Sequence, residues 1–268
     1  MPGAGVGQTP RMEIAERRAH ELRLAPERAL ADLDEAAAWV AERGMVTITP
    51  GCALPSLFAA CHEKPYAEGS KGFGSWPATT YTWPFELSRH EGVHALRIHH
   101  GKRLLVSGAV AAAVDPLARE ALVAAERSPL VAHLAAAGPS LVEELREELA
   151  LDASGLRRLR GPLERTAAVL SRSVIVPAAN GGHRHTSELR RWDQEFPEVP
   201  AVPGGIEELA VAGVRAAVAA PEREVGRWFS WPLPVGALDR LVREGRLARE
   251  GELVVVPEGS GTSGTSRP

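Results

Sequence analysis

Ser154-Gly-Leu-Arg-Arg-Leu-Arg-Gly-Pro-Leu-Glu-Arg-Thr-Ala-Ala-Val-Leu170 decides the fold, together with Ser171-Arg-Ser-Val-Ile-Val-Pro177 and Gly182-His-Arg-His-Thr-Ser187. Leu156, Leu159, Leu163 and Val169 recur near a helical period, which predicts a helix over 154–170. The two β-rich runs flank Ala178-Ala-Asn-Gly-Gly182, and Asn-Gly is a strong hairpin signal. Upstream, Ser128-Pro129 opens a short amphipathic helix that reaches Ala137. Ser140, with Glu143 three residues on, has the capping-box spacing and opens a second helix to Leu151. Three helices followed by a β-ribbon is the order of a winged helix.

The same order repeats downstream. Helices are expected over Ile206–Ala219, Pro221–Phe229 and Pro234–Glu244, and a small hairpin over Leu247–Pro257 turns at Glu250-Gly251. Upstream, Met12–Leu24 reads as a charged helix. Pro26 fits the first turn of another over Glu27–Arg43, which Gly44 ends. Val46 and Ile48 read as a strand, and Leu54–His62 as a short helix. A loop rich in Gly, Ser and Pro runs from Glu63 to Thr80, and a hairpin turns at His100-Gly101. The apolar stretch Val106–Val114 reads as a buried segment.

The expected fold class is α+β, mostly α, with tandem winged-helix units carrying small β-ribbons. Residues 1–10 and 259–268 are rich in Gly and Pro or in Gly, Ser and Thr, and read as disordered. Between them are expected an N-terminal α+β domain over 11–125, open to the same winged-helix reading, a winged helix over 126–200 and a second over 201–258.

Composition bounds the function. The hydrophobic share of 44 % suffices for a packed core, and the net charge of −3 means that any nucleic-acid surface must be local. Two cysteines, Cys52 and Cys61, do not make a disulfide framework. No signal-peptide pattern opens the chain, and no run has the roughly 18 apolar residues of a membrane span. A cytoplasmic protein is expected. The missing phosphate-binding loop, Gly-x-Ser-x-Gly elbow and HExxH motif argue against nucleotide hydrolysis, α/β-hydrolase chemistry and zinc proteolysis.

Several runs then bring a family into view: Trp83-Pro-Phe-Glu86, His99-His-Gly-Lys-Arg-Leu-Leu105, Leu163–Leu170, Gly182–Asp193 and Trp228-Phe-Ser-Trp231 with Leu238, Leu241 and Gly245-Arg-Leu247. Over roughly residues 30–257 the chain resembles winged-helix proteins related to the AlkZ/YcaQ DNA glycosylases, in a shorter branch of that group. The resemblance implies a tandem winged-helix fold and duplex DNA binding, and in the family's catalytic members excision of alkylated bases. Those members carry Gln-x-Gln or Gln-x-Asp. This chain's glutamines, Gln8 and Gln194, begin Gln-Thr-Pro and Gln-Glu-Phe, so glycosylase activity does not carry over.

The residues themselves offer a basic stripe. Between Leu151 and Arg191 stand Arg157, Arg158, Arg160, Arg165, Arg172, Arg184, Arg190 and Arg191, against Asp152, Glu164 and Glu188. The preceding helix holds Glu143, Glu144, Glu147 and Glu148, so charge is segregated. Arg157, Arg158, Arg160, Arg165, Arg172, Arg184 and Arg190, with His183 and His185 on the wing and Lys102-Arg103 on the first hairpin, are the candidate DNA contacts. A solvated helix face with pairs such as Arg160 and Glu164 is the plainer alternative. Trp76, Tyr81, Trp83 and Phe85 lie near Glu86. They could form a pocket for an extruded base with Glu86 as the catalytic carboxylate, but an aromatic core anchoring the first domain is favoured. Asp193 can pair with Arg190 or Arg191. Cys52, Cys61 and His62, and the pair His183 and His185, lack the spacing or third ligand of a zinc site. No metal or cofactor is expected.

Three functions remain open. The first is a protein that binds double-stranded, damaged DNA as a monomer, and as an enzyme it would be a DNA glycosylase. The second is a transcriptional regulator, for which no dimerisation helix stands out. The third is a protein-interaction module.

Overall fold

The computed structural model describes residues 9–177, 181–200 and 203–257. It is α+β with small antiparallel sheets. After α1 (Thr9–Glu21), the first unit comprises α2 (Leu33–Arg43), β1 (Met45–Thr47), α3 (Leu57–Ala60), α4 (Trp83–Leu87), β2 (Val93–His99) and β3 (Lys102–Ser107). Helix α5 (Gly108–Ala124) leads to the second unit: α6 (Pro129–Ala137), β4 (Ser140–Leu141), α7 (Val142–Glu148), α8 (Ala153–Arg165), β5 (Val169–Pro177) and β6 (His183–Arg191). After α9 (Trp192–Glu195) comes the third: α10 (Ile206–Ala217), β7 (Ala219–Pro221), α11 (Glu222–Val225), α12 (Ala237–Arg243), β8 (Ala248–Glu250) and β9 (Leu253–Val255). Each unit runs helix, strand, helix, helix, hairpin. In each, the strands pair antiparallel in the order first, third, second.

Local chemistry corrects several expected boundaries. The helix expected from Glu27 is broken into a 3-10 turn over Pro26–Arg28 and the separate α2. Asp32 accepts from the Glu35 amide at 2.8 Å, and Glu35 accepts from the Ala31 amide at 2.8 Å. This reciprocal cap starts a new helix. Gly44 does end α2, with φ +80°. Ser140 is not a helix cap. It is buried on β4 opposite Leu189, and Leu141 donates instead to Glu144 at 2.8 Å. Pairing with β6 captures Ser140 in an edge strand. The helix expected to reach Leu170 stops at Arg165, because Val169 and Leu170 pair with Arg191 and Arg190. The Asn-Gly turn expected at 180–181 falls mostly outside the described residues, as do residues 1–8 and the tail 259–268, but Thr9 and Pro10, expected as disordered within 1–10, open α1 instead.

Helix α5 is the longest among the described residues, and only its first turns were legible, as a buried segment. Ser107 caps it by accepting from Val110 at 3.4 Å. Pro116 interrupts its interior, and nearby the Gly205 amide donates to the Ala113 carbonyl at 2.7 Å. One apolar core runs from β2 and β3 through α5 to α10, Trp228, Phe229 and Leu241, and includes Trp192 of α9. The three units are therefore packed together. Among the described residues no helix is long and apolar enough to cross a membrane.

Candidate nucleic-acid interface

Strand alternation builds the site. In β2, Leu96 and Ile98 are buried in the core, so Arg97 and His99 share the opposite face. Beyond the turn at His100-Gly101 come Lys102 and Arg103. These side chains, the segment Thr47–Cys52 at the end of β1, Trp76, Pro84 and Phe85 line a cavity of about 370 Å³. The wall has two aromatic faces, three cations, an imidazole, two threonines and a thiol. It holds no carboxylate.

Arg103 sits with its guanidinium 4.6 Å from the Phe85 ring centre, a cation–π arrangement. Burial, and then neighbouring Arg97, push its pKa down to about 10, so it remains charged at neutral pH. His99 is held by Nδ1, 2.6 Å from the Trp228 carbonyl oxygen. A carbonyl only accepts, so the proton sits on Nδ1 and the neutral ring leaves Nε2 as an acceptor. Burial pushes His99 below the usual histidine value. His100 also contacts the Arg227 carbonyl, so both histidines fasten the hairpin to the third unit.

The second unit completes the wall's surroundings. Helix α8 packs on β2. From it the buried Glu164 lies 3.6 Å from Arg97 and 3.9 Å from Arg160. Its Oε1 has no hydrogen-bond partner among the described residues. One buried carboxylate thus sits among Arg97, Arg103 and Arg160, and the surplus charge is positive. Arg165 runs along Gly101.

The basic stripe divides. Arg157, Arg158 and Arg165 are exposed on α8, and Arg158 donates to the Ser154 hydroxyl at 3.0 Å and faces the Asp152 carboxylate. Arg172 faces Glu195 at 3.7 Å, and Arg184 pairs with Glu143 at 3.0 Å. Arg190 lies between Glu188 and Glu195, 2.5 Å from the latter, and Arg191 pairs with Asp193 at 2.5 Å. His183 and His185 are exposed near the start of β6. The cations of the second hairpin are thus largely balanced by acids, whereas Arg97, Arg103 and Arg160 share the single carboxylate of Glu164.

The aromatic cluster divides as well. Trp76 and Phe85 line the cavity. Tyr81 stands edge-on to Phe73 at 5.4 Å, and Trp83 packs against the first unit's core. Glu86 is exposed on α4 and is not among the lining residues. Cys61 is buried, whereas Cys52 is half-buried in the cavity wall, and His62 contacts the Arg23 carbonyl at 2.6 Å. Among the described residues no three His, Cys, Asp or Glu gather as a metal site. Gln194 donates to the Leu134 carbonyl at 2.6 Å and accepts from the Arg191 amide at 2.9 Å, a structural role away from the cavity. Sequence reasoning missed Arg97, His99 and the segment 47–52. The available signal was the alternation of Arg97 and His99 with Leu96 and Ile98, beside Lys102-Arg103.

Among solved structures, the chain is similar to the DNA glycosylase AlkZ of Streptomyces sahachiroi. The TM-score is 0.50 and the identity 13 %, over 92 % of this chain and 69 % of that one. The likeness is one of fold. No protein-family profile and no curated protein matches the sequence.

Proposed function

We propose that the chain binds double-stranded DNA through winged-helix units and receives an unpaired or damaged nucleotide in the cavity between the first hairpin, α4 and the segment 47–52. The helix–strand–helix–helix–hairpin order, with strands paired first, third, second, is that of a winged helix and supports the reading. The fold shared with a protein described as a DNA glycosylase points to the same class of partner.

The observation that carries the proposal is the chemistry of the cavity wall. An extruded nucleotide presents a π face and a phosphate. Trp76 and Phe85 complement the first, and Arg97, Lys102 and Arg103 the second. Arg157, Arg158, Arg160 and Arg165 extend the cationic surface along α8 as phosphate contacts, and the exposed His183 and His185 of β6 are further candidates. Arg172, Arg184 and Arg190 would have to leave their acids, and the proposal does not call on them. Nor does it call on a cofactor or on Glu86. It is a proposal of recognition. Base excision is left out, because the chain lacks Gln-x-Gln and Gln-x-Asp and Gln194 is not in the wall.

The test is fluorescence anisotropy with intact and abasic duplexes across a salt series. A steep salt slope and tighter binding to the abasic duplex are expected. Arg103→Gln should lower abasic binding roughly tenfold, the cost of one charged contact, and flatten the slope by about one phosphate's worth. A steep slope with no abasic preference would favour the regulator. No binding even at low salt would sink the proposal and leave a protein-interaction module.

A further inference from the structure

Residues 63–80 form a closed finger. Ala78 donates to the Lys64 carbonyl at 3.1 Å, Tyr66 to that of Trp76 at 2.7 Å, and Ala67 to that of Gly74 at 2.8 Å. At its neck the Glu63 carboxylate accepts from the Thr79 amide at 2.5 Å and from the Thr80 amide and hydroxyl at 3.0 and 2.8 Å. The backbone is therefore fixed, and the rings it carries are presented rather than left loose.

Those rings are unusual in this chain. Tyr66 is 63 % and Phe73 52 % exposed, and among the described residues no other Tyr, Phe or Trp is exposed. They also form a series. The Tyr66 and Phe73 ring centres lie 5.8 Å apart, Phe73 and Trp76 5.4 Å, and Trp76 and Phe58 5.5 Å. Trp76 belongs to the cavity wall, so the aromatic path leads from solvent to the cationic cavity. The chain's three lysines lie along it: Lys64 and Lys71 on the finger and Lys102 in the wall. Against them on the finger stand Glu68 at the tip and Glu63, which is engaged at the neck.

We infer that the finger is a base-stacking wedge, with Tyr66 and Phe73 entering an opened base step of the DNA whose displaced nucleotide occupies the cavity. The inference rests on the DNA-binding reading above. A bare apolar patch would suit many partners. This one ends in a wall of cations, and nucleic acid is the partner that brings π faces and negative charge together. Separating a base step costs stacking energy, and rings inserted at that step offset the loss.

The experiment uses the full chain and a duplex with 2-aminopurine beside an abasic site, whose fluorescence rises when the base unstacks. Wild-type protein should raise the signal on binding. The double variant Tyr66→Ala and Phe73→Ala should bind intact duplex within about twofold of wild type, with an unchanged salt slope. It should lose roughly tenfold in abasic preference, as one or two lost stacks imply, together with the fluorescence rise. Phe73→Leu should keep part of the rise by acting as a wedge without a π face. Both side chains are exposed, so folding is retained, and a thermal melt checks this. A double variant matching wild type in preference and fluorescence overturns the wedge while leaving DNA binding standing. Wild-type protein that binds no duplex overturns both. A concentration-dependent dimer in sedimentation, abolished by the same double variant, would assign the finger to a second copy and also overturn the inference.

Discussion

Asp115 shows how one residue can hold a junction. It is 2 % exposed in α5, accepts from the Trp192 indole at 2.7 Å and takes the Arg119 guanidinium at 2.9 Å. Arg119 in turn donates to the carbonyls of Phe196 and Glu198 at 2.7 and 3.1 Å. One carboxylate therefore ties α5 to α9 and the segment beyond. Removing it leaves a partly buried cation and an indole N–H without their acceptor. Asp115→Ala should cost about 3–5 kcal/mol by the usual penalty for breaking a buried pair. Denaturant unfolding measures this, and a loss below 1 kcal/mol would refute the role. Such a residue is hard to read from sequence, because its partner Trp192 lies 77 positions away. The same holds for the cavity. Trp76, Lys102 and Arg103 were legible as an aromatic beside a basic hairpin. Arg97 and His99 needed the strand's facing, and the role of Glu164 needed the packing of α8 on β2. The residues of the basic stripe were all visible, but which of them an acid already holds depends on cross-strand register, as with Arg190 between Glu188 and Glu195.

Elements were legible where local signals agreed with tertiary demand. The first hairpin turns at His100-Gly101 as its glycine predicts, and α6 starts at Pro129 as expected, although Ser128 makes no side-chain cap bond. Competition produced the errors: Ser140 had a capping spacing but was needed as a strand, and Asp32 started a helix that Pro26 had seemed to start. Helix α10 shows a further demand that periodicity cannot reveal. Gly213 faces Trp228, and a β-carbon there would meet the indole ring at 2.7 Å. Glycine in a helix interior ordinarily costs about 1 kcal/mol relative to alanine. Here the close approach outweighs that term, because the Trp228 ring is 1 % exposed and cannot retreat. Gly213→Ala should therefore destabilise the chain by about 1–3 kcal/mol, the range for overpacking. Thermal unfolding decides the sign, and a raised melting temperature would show that the indole yields.

At the scale of the whole molecule, β2 is where the three units meet. His94 stands 4.9 Å from Phe196, which follows the second unit's sheet, and His99 contacts the Trp228 carbonyl of the third. Burial lowers the pKa of His94, against the pull of Glu195 and with the push of Arg172. Burial also lowers that of His99, with His100 and Lys102 acting in the same direction and the Trp228 carbonyl against it. The folded chain therefore keeps both rings neutral at a pH where the unfolded chain already takes up protons. Stability is full above the unfolded histidine value of about 6.5 and is lost as pH falls below it toward the lower folded values. Because both rings sit at joints between units, protonation should loosen the assembly of units before it melts any one sheet. Scanning calorimetry from pH 8 to pH 5 should show a falling melting temperature below about 6.5 and a broadening transition. The double variant His94→Gln and His99→Gln should be less stable at pH 8 and nearly flat over the same range. A wild-type melting temperature that holds constant down to pH 5, or a double variant that keeps the full slope, would place the acid sensitivity elsewhere and remove β2 as the titrating hinge of the fold.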